Sequence, residues 1–307
     1  MMAIARDTAL IARNEARRTL ASVRALALLA LFVLFSTSVA MVTAAAARGV
    51  SSALDDQIAQ ANPDATAEER AQLHAQVDSE FQARRNQFLS FWFSEDAALL
   101  DAVKDVPVFL LVLFKLSLLF LPAYVALLGY DAVSAELATR GLRYVAVRAS
   151  RTAVLIGKFA GLAAVLLALV AGTQGLVIAW AAATDAAFGP GVAFVTWARF
   201  SLSGVTYGAA WLALSLLCST LFRVPMVSLA VNGVAMFALW LAGVVGGHAA
   251  RTGNGPLALL RWLSPTHFAD DLLHPGLARF GASAACCLAF AAVMLAAGSA
   301  VLSEKDL

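Results

Sequence analysis

The chain has 307 residues, of which 61% are hydrophobic and 14% are charged, with a formal net charge of +2 at pH 7. A soluble domain is about 45–50% apolar and about 25% charged, so this composition excludes an ordinary soluble enzyme. It also excludes intrinsic disorder, which requires low hydrophobicity and high net charge. The small net charge gives no support for nucleic-acid binding, and a membrane protein is the class that remains.

The chain begins with an amphipathic segment, 1–24, and continues through six apolar stretches. In 1–24, Ile4, Leu10, Ile11 and Leu20 alternate with arginines at helical spacing, which predicts a basic helix lying in the membrane interface. A simple positively charged anchor and a docking element remain alternatives for this helix. The six stretches each have the roughly 20 apolar residues that a membrane helix needs. The predicted spans are 25–47, 106–129, 155–183, 204–222, 225–246 and 280–302.

The apolar stretches do not alternate over about 10 residues as the strands of a membrane barrel do, so the predicted fold is an all-α polytopic bundle with six transmembrane helices. Arginine and lysine concentrate in 1–24, in the connection 130–154 and at Arg223. With six spans these segments and the tail 303–307 fall on one side, and the positive-inside rule makes that side cytoplasmic. We therefore expect a multi-pass protein of a prokaryotic cytoplasmic (inner) membrane, with both termini in the cytoplasm.

The connection after the first predicted span, 48–105, falls on the other side and contains five basic and eleven acidic residues. Thr66 and Glu69 have the spacing of a capping box, and a helical pattern follows as far as Phe93. This predicts a helical extracytoplasmic loop. Its apolar face could pack within a hairpin, on a second copy of the chain or on an extracytoplasmic partner. The connection 247–279 is also expected there, as an extracytoplasmic or re-entrant segment.

The sequence lacks the motifs of common catalytic and redox sites. A P-loop requires Gly-Lys followed by Ser or Thr, whereas Phe159 follows Gly157-Lys158. No His-Glu-x-x-His motif occurs, and the three cysteines, Cys218, Cys286 and Cys287, all lie in predicted spans. We therefore expect neither an enzyme nor a chain that binds a cofactor of its own.

One cluster in the last connection has the residue types of a metal site. His267, Asp270, Asp271 and His274 would share one face of an α-helix at spacings of three, four and seven. Imidazole and carboxylate groups bind divalent metals, so the cluster is a candidate metal site. The alternative is a polar helix face at the outer membrane interface.

Lys115 is the formal charge placed deepest in a predicted span. A lysine at the bilayer centre costs roughly 2.5–3.5 kcal/mol on insertion scales, so it needs an explanation. Either the side chain extends outward to the membrane surface or it lines a polar pathway. Gln174 and Asn232 are the other strongly polar side chains in predicted spans, and hydrogen bonding between helices is their expected role.

The connection 130–154 contains the most informative pattern of the chain. A short acidic helix, which Asp131 would cap and Gly141 would end, is followed by a basic helix that leads into the third span. The pattern reads D-x-V-S-x-E, then Gly, then a basic segment ending in Ser-Arg, then Gly-Lys-Phe. Its residues are Asp131, Val133, Ser134, Glu136, Gly141, Ser150, Arg151, Gly157, Lys158 and Phe159.

In this pattern the chain resembles the permease subunits of ABC-2-type transporters, which typically have D-x-[IV]-S-x-E-x-x-x-G in the same place. Two departures occur. The interval from Glu136 to Gly141 is one residue longer than the commonest form, and Arg148 stands where a proline usually precedes Ser-Arg. The resemblance extends to the amphipathic N-terminal segment, the large loop after the first span and the Ser264-Pro265 element before the last.

The resemblance implies a transport permease that pairs with a second permease copy and rests on a separate cytoplasmic ATPase, which would bind ATP and magnesium. The connection 130–154 would be the coupling elbow. Its expected ATPase-coupling residues are Asp131, Ser134, Glu136, Gly141, Arg143, Ser150 and Arg151. Two other functions remain open: an ion-coupled secondary transporter with Lys115 in its pathway, and a membrane scaffold that recruits an extracytoplasmic partner. The sequence does not indicate a substrate.

Overall fold

The computed structural model describes residues 2–23, 26–27, 30–39, 41–42, 96–141, 149–184 and 188–305, together with positions 45, 49, 52 and 87. Every regular element in these ranges is helical, which confirms the all-α prediction for this part of the chain. The predicted outer helix, 66–93, lies outside the described residues except for position 87, and Arg143 and Arg148 lie outside them as well.

The helices are named α1 to α10 in chain order. Their bounds are α1 Met2–Leu20, α2 Ala30–Val39, α3 Ala97–Ala102, α4 Val108–Gly129, α5 Ser134–Ala138, α6 Arg151–Thr184, α7 Pro190–Leu221, α8 Pro225–Arg251, α9 Gly255–Ala258 and α10 Leu277–Glu304. Three short 3₁₀ helices, Leu259–Leu263, Pro265–Phe268 and Asp271–Leu273, lie between α9 and α10.

Five of these helices, α4, α6, α7, α8 and α10, are long and apolar enough to cross a membrane. Each overlaps one predicted span. The first predicted span, 25–47, is described only in part, as α2, so the structure does not establish the count of six. Helix α7 begins at Pro190, well before the predicted start at Gly204. Proline is favoured in the first helical turn, where its missing amide proton is not needed.

Helix α7 forms the centre of the bundle, and α4, α6, α8 and α10 all pack against it. Trp211 of α7 is fully buried, and the ring of Phe200 stacks on Phe114 of α4 with centroids 4.3 Å apart. A Cβ atom added at Gly208 would lie 2.7 Å from Leu166 Cδ2 of α6. A glycine therefore allows the close approach of α6 and α7, as small residues do between membrane helices.

The two ends of the bundle differ in structure. We call the end that holds α5 the elbow end and the end that holds 252–276 the connection end. At the connection end Asp96 accepts a hydrogen bond from the Ala98 amide at 3.0 Å and forms an ion pair with Arg279 of α10. These two contacts, the amide first, lower the pKa of Asp96 below its usual value. They hold the start of α3 against the start of α10.

Candidate functional site at the elbow end

The elbow helix α5 is held in place by serine side chains from two neighbouring helices. Ser219 Oγ of α7 accepts hydrogen bonds from the Val133 and Ser134 amides, at 2.9 and 3.0 Å. Ser228 Oγ of α8 donates to the Tyr130 carbonyl at 2.9 Å, just before α5. Both serines are fully buried. The first amides of a helix have no partner within it, so Ser219 serves as the cap of α5 from another helix.

Glu136 of α5 lies in an ionic cluster with α1 and α6 in which the central residue, Lys158, is buried. Lys158 of α6 donates from Nζ to Glu136 Oε1 at 2.7 Å and to Glu15 Oε2 of α1 at 3.1 Å. Arg18 of α1 adds a longer contact to Glu136 Oε1, at 3.4 Å. The Lys158 side chain is only 3% exposed. A buried ammonium is stable only when it is paired, and here two carboxylates from different helices pair with it.

Two glycines of α6 allow α1 to approach closely enough for this cluster to form. A Cβ atom at Gly157 would lie 2.8 Å from Ile11 of α1, and one at Gly161 would lie 2.6 Å from the Ala12 carbonyl oxygen. The two glycines are four residues apart, the small-xxx-small spacing that brings helix backbones together. Lys158 lies between them in the sequence, so the same contact surface carries both the close packing and the charge.

Arg151 and Lys305 close the ends of α10 and α7 beside the elbow. Arg151 Nη1 donates to the carbonyls of Leu302, Ser303 and Lys305, at 2.8, 2.7 and 3.0 Å. Lys305 Nζ donates to the carbonyl of Leu221 at 3.0 Å and also to that of Thr220. The last carbonyls of a helix lack partners within it and carry partial negative charge, so both cations stabilise helix ends.

The remaining predicted coupling residues have local roles, and two expectations about them are wrong. Ser150 Oγ accepts from the Ala153 amide at 3.2 Å and so caps the start of α6. Asp131 is not the cap of α5, because the N-cap position belongs to Val133 and the capping oxygen comes from another helix.

Gly141 does not end α5 either. The helix ends at Ala138, and Arg140 adopts the left-handed conformation, with φ of 56°. A left-handed residue after the last turn satisfies the final carbonyls, and glycine normally fills that position. Arg140 therefore performs the chain reversal expected of Gly141, at a cost in backbone strain.

The four residues of the candidate metal cluster do not share one helical face, so the geometry expected of them is wrong. The segment forms two 3₁₀ helices rather than one α-helix, which removes the shared face. Asp270 forms an ion pair with Lys115, His274 Nε2 lies 3.5 Å from Asp96, and His267 packs against Trp262. Among the described residues, no group of three or more His, Cys, Asp or Glu side chains is placed to hold a metal ion.

The side chain of Lys115 reaches a carboxylate of the connection segment, and its role in a polar pathway stays a prediction. Its side chain is 13% exposed and pairs with Asp270 at the connection end, so it extends in the direction expected of a lysine that reaches for the membrane surface. Lys115 and Asp270 also line a cavity of about 970 Å³ between α4, α7 and α8. Asn232 forms the expected hydrogen bond between helices, from Nδ2 to Ser215 Oγ of α7 at 2.9 Å.

Comparison with known proteins identifies the family. A family model described as "ABC-2 family transporter protein" matches residues 9–307, which includes most of α1, the elbow and all five long helices. The chain belongs to the ABC-2 transporter family. No curated protein matches it. As a member of this family the chain is a multi-pass membrane protein of a transport system, and the resemblance inferred from the elbow residues is confirmed.

Sequence reasoning did not identify several residues of this ABC-2 protein that hold the elbow. Glu15, Arg18, Ser219 and Ser228 are distant from the motif in sequence and have no pattern of their own. The sequence did contain one signal for the contact with α1: Gly157 and Gly161 flank Lys158 near the start of the predicted span 155–183. A charge at that position requires a partner of opposite sign, and Glu15 lies in the basic amphipathic segment.

Proposed function

We propose that this chain is the membrane permease subunit of an ATP-driven ABC-2 exporter, driven by a separate cytoplasmic ATPase that contacts the elbow. The observation that supports this proposal is the way α5 is held. Its amides bind Ser219 of α7, and its Glu136 pairs with Lys158 of α6 and Arg18 of α1. A displacement of α5 would therefore act on several helices together, because packed elements move as units.

The surface available to the ATPase is the tip of the elbow. Ala138, Thr139 and Arg140 are exposed, whereas Val133, Ser134 and Leu137 are buried. The tip thus presents one helical turn and the left-handed residue that follows it. In this proposal the buried half of α5 transmits the motion, and the exposed tip receives it from the partner. ATP and magnesium would be bound by the partner and not by this chain.

We further propose that the elbow end faces the cytoplasm and that α1 lies in the membrane interface. Arg13, Arg17 and Arg18 of α1 lie at this end with Arg140 and Arg223, as the positive-inside rule requires. Leu10 and Leu20 are 55% and 49% exposed on the same helix. Exposed leucines beside arginines are typical of a helix at a membrane surface.

The family also supports pairing with a second permease copy, and we propose a dimer. An extracytoplasmic partner remains a prediction that depends on 48–95, most of which the structure does not describe. Site-directed crosslinking across α8 or α10, whose outer surfaces are exposed and apolar, tests the dimer. A crosslinked species at twice the mass is the expected product.

Co-purification with an ATPase tests the central proposal. Ala138→Arg places a charged, bulky side chain on the exposed tip and is expected to abolish ATPase binding and stimulated ATP hydrolysis while the permease still folds. Ala183→Arg is the matched control. Ala183 is also exposed, but it lies near the end of α6 that is far from the elbow. Equal ATPase binding by the two variants would overturn the assignment of the elbow.

A second candidate function is ion-coupled transport, which the Lys115–Asp270 pair in the cavity favours. Intramembrane ion pairs often belong to proton or ion pathways. This candidate predicts proton uptake by proteoliposomes that contain the chain alone, reported by a pH-sensitive dye, and loss of the uptake in Lys115→Met. Absence of uptake by the unaltered chain excludes it.

A further inference from the structure

Helix α1 packs against α6 with one face and carries a row of arginines on the other. Ile11 and Glu15 lie on the packed face, against Gly157 and Gly161 of α6. Residues seven and four positions apart fall on one side of an α-helix. The arginines on the side away from α6 have this spacing and are exposed: Arg6, Arg13 and Arg17. We call these three residues, which extend over about 16 Å of the helix, the arginine stripe.

The arginine stripe has no acidic partner in the part of the chain that the structure describes. Arg18, the next residue after the stripe, contacts Glu136, whereas the three stripe arginines form no ion pair within the described ranges. A guanidinium group has five N–H donors in a planar fork that matches two oxygens of a phosphate group. The stripe therefore offers its donors to anionic groups outside the bundle.

Two exposed leucines indicate which kind of anionic partner fits the stripe. Leu10 and Leu20 are 55% and 49% exposed. They follow Arg6 by four residues and Arg17 by three, so they lie beside the stripe on the same side of α1. A nucleic acid or an acidic protein surface offers no apolar contact of this kind. A membrane interface fits both residue types, because leucines enter the acyl boundary while arginines stay among the headgroups.

From this arrangement we propose that the arginine stripe binds the phosphate groups of anionic phospholipids in the leaflet at the elbow end. This role rests on the proposed position of α1 in the membrane interface, and it adds the lipid class that α1 recognises. One arginine near an anionic surface strengthens binding by a factor of about five. Three arginines together should favour an anionic over a zwitterionic leaflet by up to about a hundredfold.

The position of α1 also affects the elbow. Glu15 and Arg18 belong to the same helix as the stripe, and they contact Lys158 and Glu136 in the cluster that holds α5. A leaflet that fixes α1 therefore fixes two of the four members of this cluster. The charge of the leaflet at the elbow end thus regulates how firmly the elbow is held.

Hydrogen exchange of the full chain in lipid nanodiscs tests this proposal without any ATPase. One set of nanodiscs contains phosphatidylglycerol and the other phosphatidylcholine, with identical acyl chains. The backbone amides of α1 report how often this helix opens. We expect them to exchange more slowly in phosphatidylglycerol, by about tenfold or more, and the difference to shrink at about 1 M salt, where the Debye length is about 3 Å. Equal exchange in the two lipids would overturn the proposal.

Glutamine variants show whether the stripe recognises the lipid. Arg6→Gln, Arg13→Gln and Arg17→Gln together preserve helix propensity and should remove the difference between the two lipids. Arg17→Gln alone should reduce that difference by about fivefold, and it still decides the question if the triple variant fails to fold. Arg223→Gln is the matched control, because Arg223 is exposed at the same end but lies outside α1. An equal lipid difference in Arg17→Gln and Arg223→Gln contradicts the proposal.

The same measurements separate this proposal from the placement of α1 on which it rests. If α1 exchanges as fast in both nanodiscs as in a detergent micelle, α1 lies outside the interface, and the placement and the proposal are both wrong. If both lipids slow the exchange equally relative to the micelle, the placement stands and the proposal is wrong. If inorganic phosphate added to the phosphatidylcholine nanodiscs slows the exchange as much as phosphatidylglycerol does, the ligand is a soluble phosphate, and the proposal is again wrong.

Discussion

Lys158 Nζ lies 2.7 Å from Glu136 Oε1, and this contact joins the first turns of α6 to the elbow α5 in a cluster that also holds Glu15 of α1. Three helices therefore meet at one ammonium group. The second oxygen of Glu136 is buried and has no hydrogen-bond partner among the described residues. Lys158 and Arg18, the two cations that contact this carboxylate, both do so through Oε1.

Replacing this lysine should destabilise the protein strongly. Lys158→Met leaves two partly buried carboxylates, Glu15 at 12% and Glu136 at 18% exposed, without their main cation. Breaking a fully buried pair costs about 3–5 kcal/mol, and the partial exposure of the two carboxylates makes this range an upper limit. The free energy of unfolding, measured by SDS titration in mixed micelles, should fall by up to that amount. Lys104→Met is the control, since Lys104 and Asp101 form an exposed pair, and no change is expected there.

A double variant distinguishes charge from packing at this position. Glu136→Gln combined with Lys158→Met removes one of the two charges that Lys158→Met leaves unpaired, so part of the lost stability should return. If the effects of the two substitutions are additive, Glu136 and Lys158 do not interact energetically.

The glycine contact between α1 and α6 gives a second prediction. Gly161→Ala places a methyl group 2.6 Å from the Ala12 carbonyl oxygen, so α1 must move, and a loss of about 1–3 kcal/mol is expected for such overpacking. In Gly172→Ala, on the same helix, the methyl group meets nothing within 4 Å. That control should gain stability, by up to about 1 kcal/mol, since alanine favours helix more than glycine does. Equal effects at both positions would contradict the close packing.

The left-handed conformation of Arg140 gives a third prediction. Arg140→Gly should raise the free energy of unfolding by about 1 kcal/mol, because glycine adopts positive φ without the strain of a side chain. Gly141→Ala should have little effect, since Gly141 has no positive φ and an added Cβ atom there makes only ordinary contacts, the nearest at 3.4 Å. If Gly141→Ala lowered the free energy of unfolding more than Arg140→Ala does, Gly141 rather than Arg140 would be the residue that makes the left-handed turn after α5.

Acidification should weaken the connection end through His267. Burial, with a smaller effect of Arg261, lowers the pKa of His267 below its usual value of 6.5, against the opposing carboxylates of Asp271 and Asp270. The folded protein therefore favours neutral imidazole, and the unfolded chain binds more protons once the pH falls below about 6.5. Stability should be fully present above that pH and decline below it. His267→Gln should flatten this part of a melting-temperature profile recorded between pH 8 and pH 5.

Composition and periodicity were sufficient to predict the helical bundle, because membrane helices depend mainly on long apolar runs. They were not sufficient at the elbow, where the outcome depends on contacts between distant residues. The Asp131 prediction was wrong because Ser219, far along the chain, supplies the capping oxygen. The Gly141 prediction was wrong although a signal existed: Arg140 stands four residues after Glu136, where the resemblance places a glycine.

The single helical face expected for the His267 cluster was wrong for a different reason. Spacings of three, four and seven converge only on a regular α-helix, and Pro265 with the 3₁₀ turns around it interrupts that geometry. The partners of Asp270 and His274 come from α4 and from the start of α3, which no local pattern reveals. Charged side chains in apolar surroundings do indicate that partners exist, but the sequence does not say which ones.

The contact of Lys305 with the Leu221 carbonyl spans 84 residues, and it has a consequence for biosynthesis. During translation α7 enters the membrane long before Lys305 is made, and α8 and α10 must follow first. Until Lys305 has been made, the Leu221 carbonyl at the end of α7 lacks this hydrogen-bond donor, and water has to take its place. The bundle is therefore expected to close at the elbow end late, after synthesis of α10, and nascent chains stopped within α10 should remain sensitive to protease near residue 222.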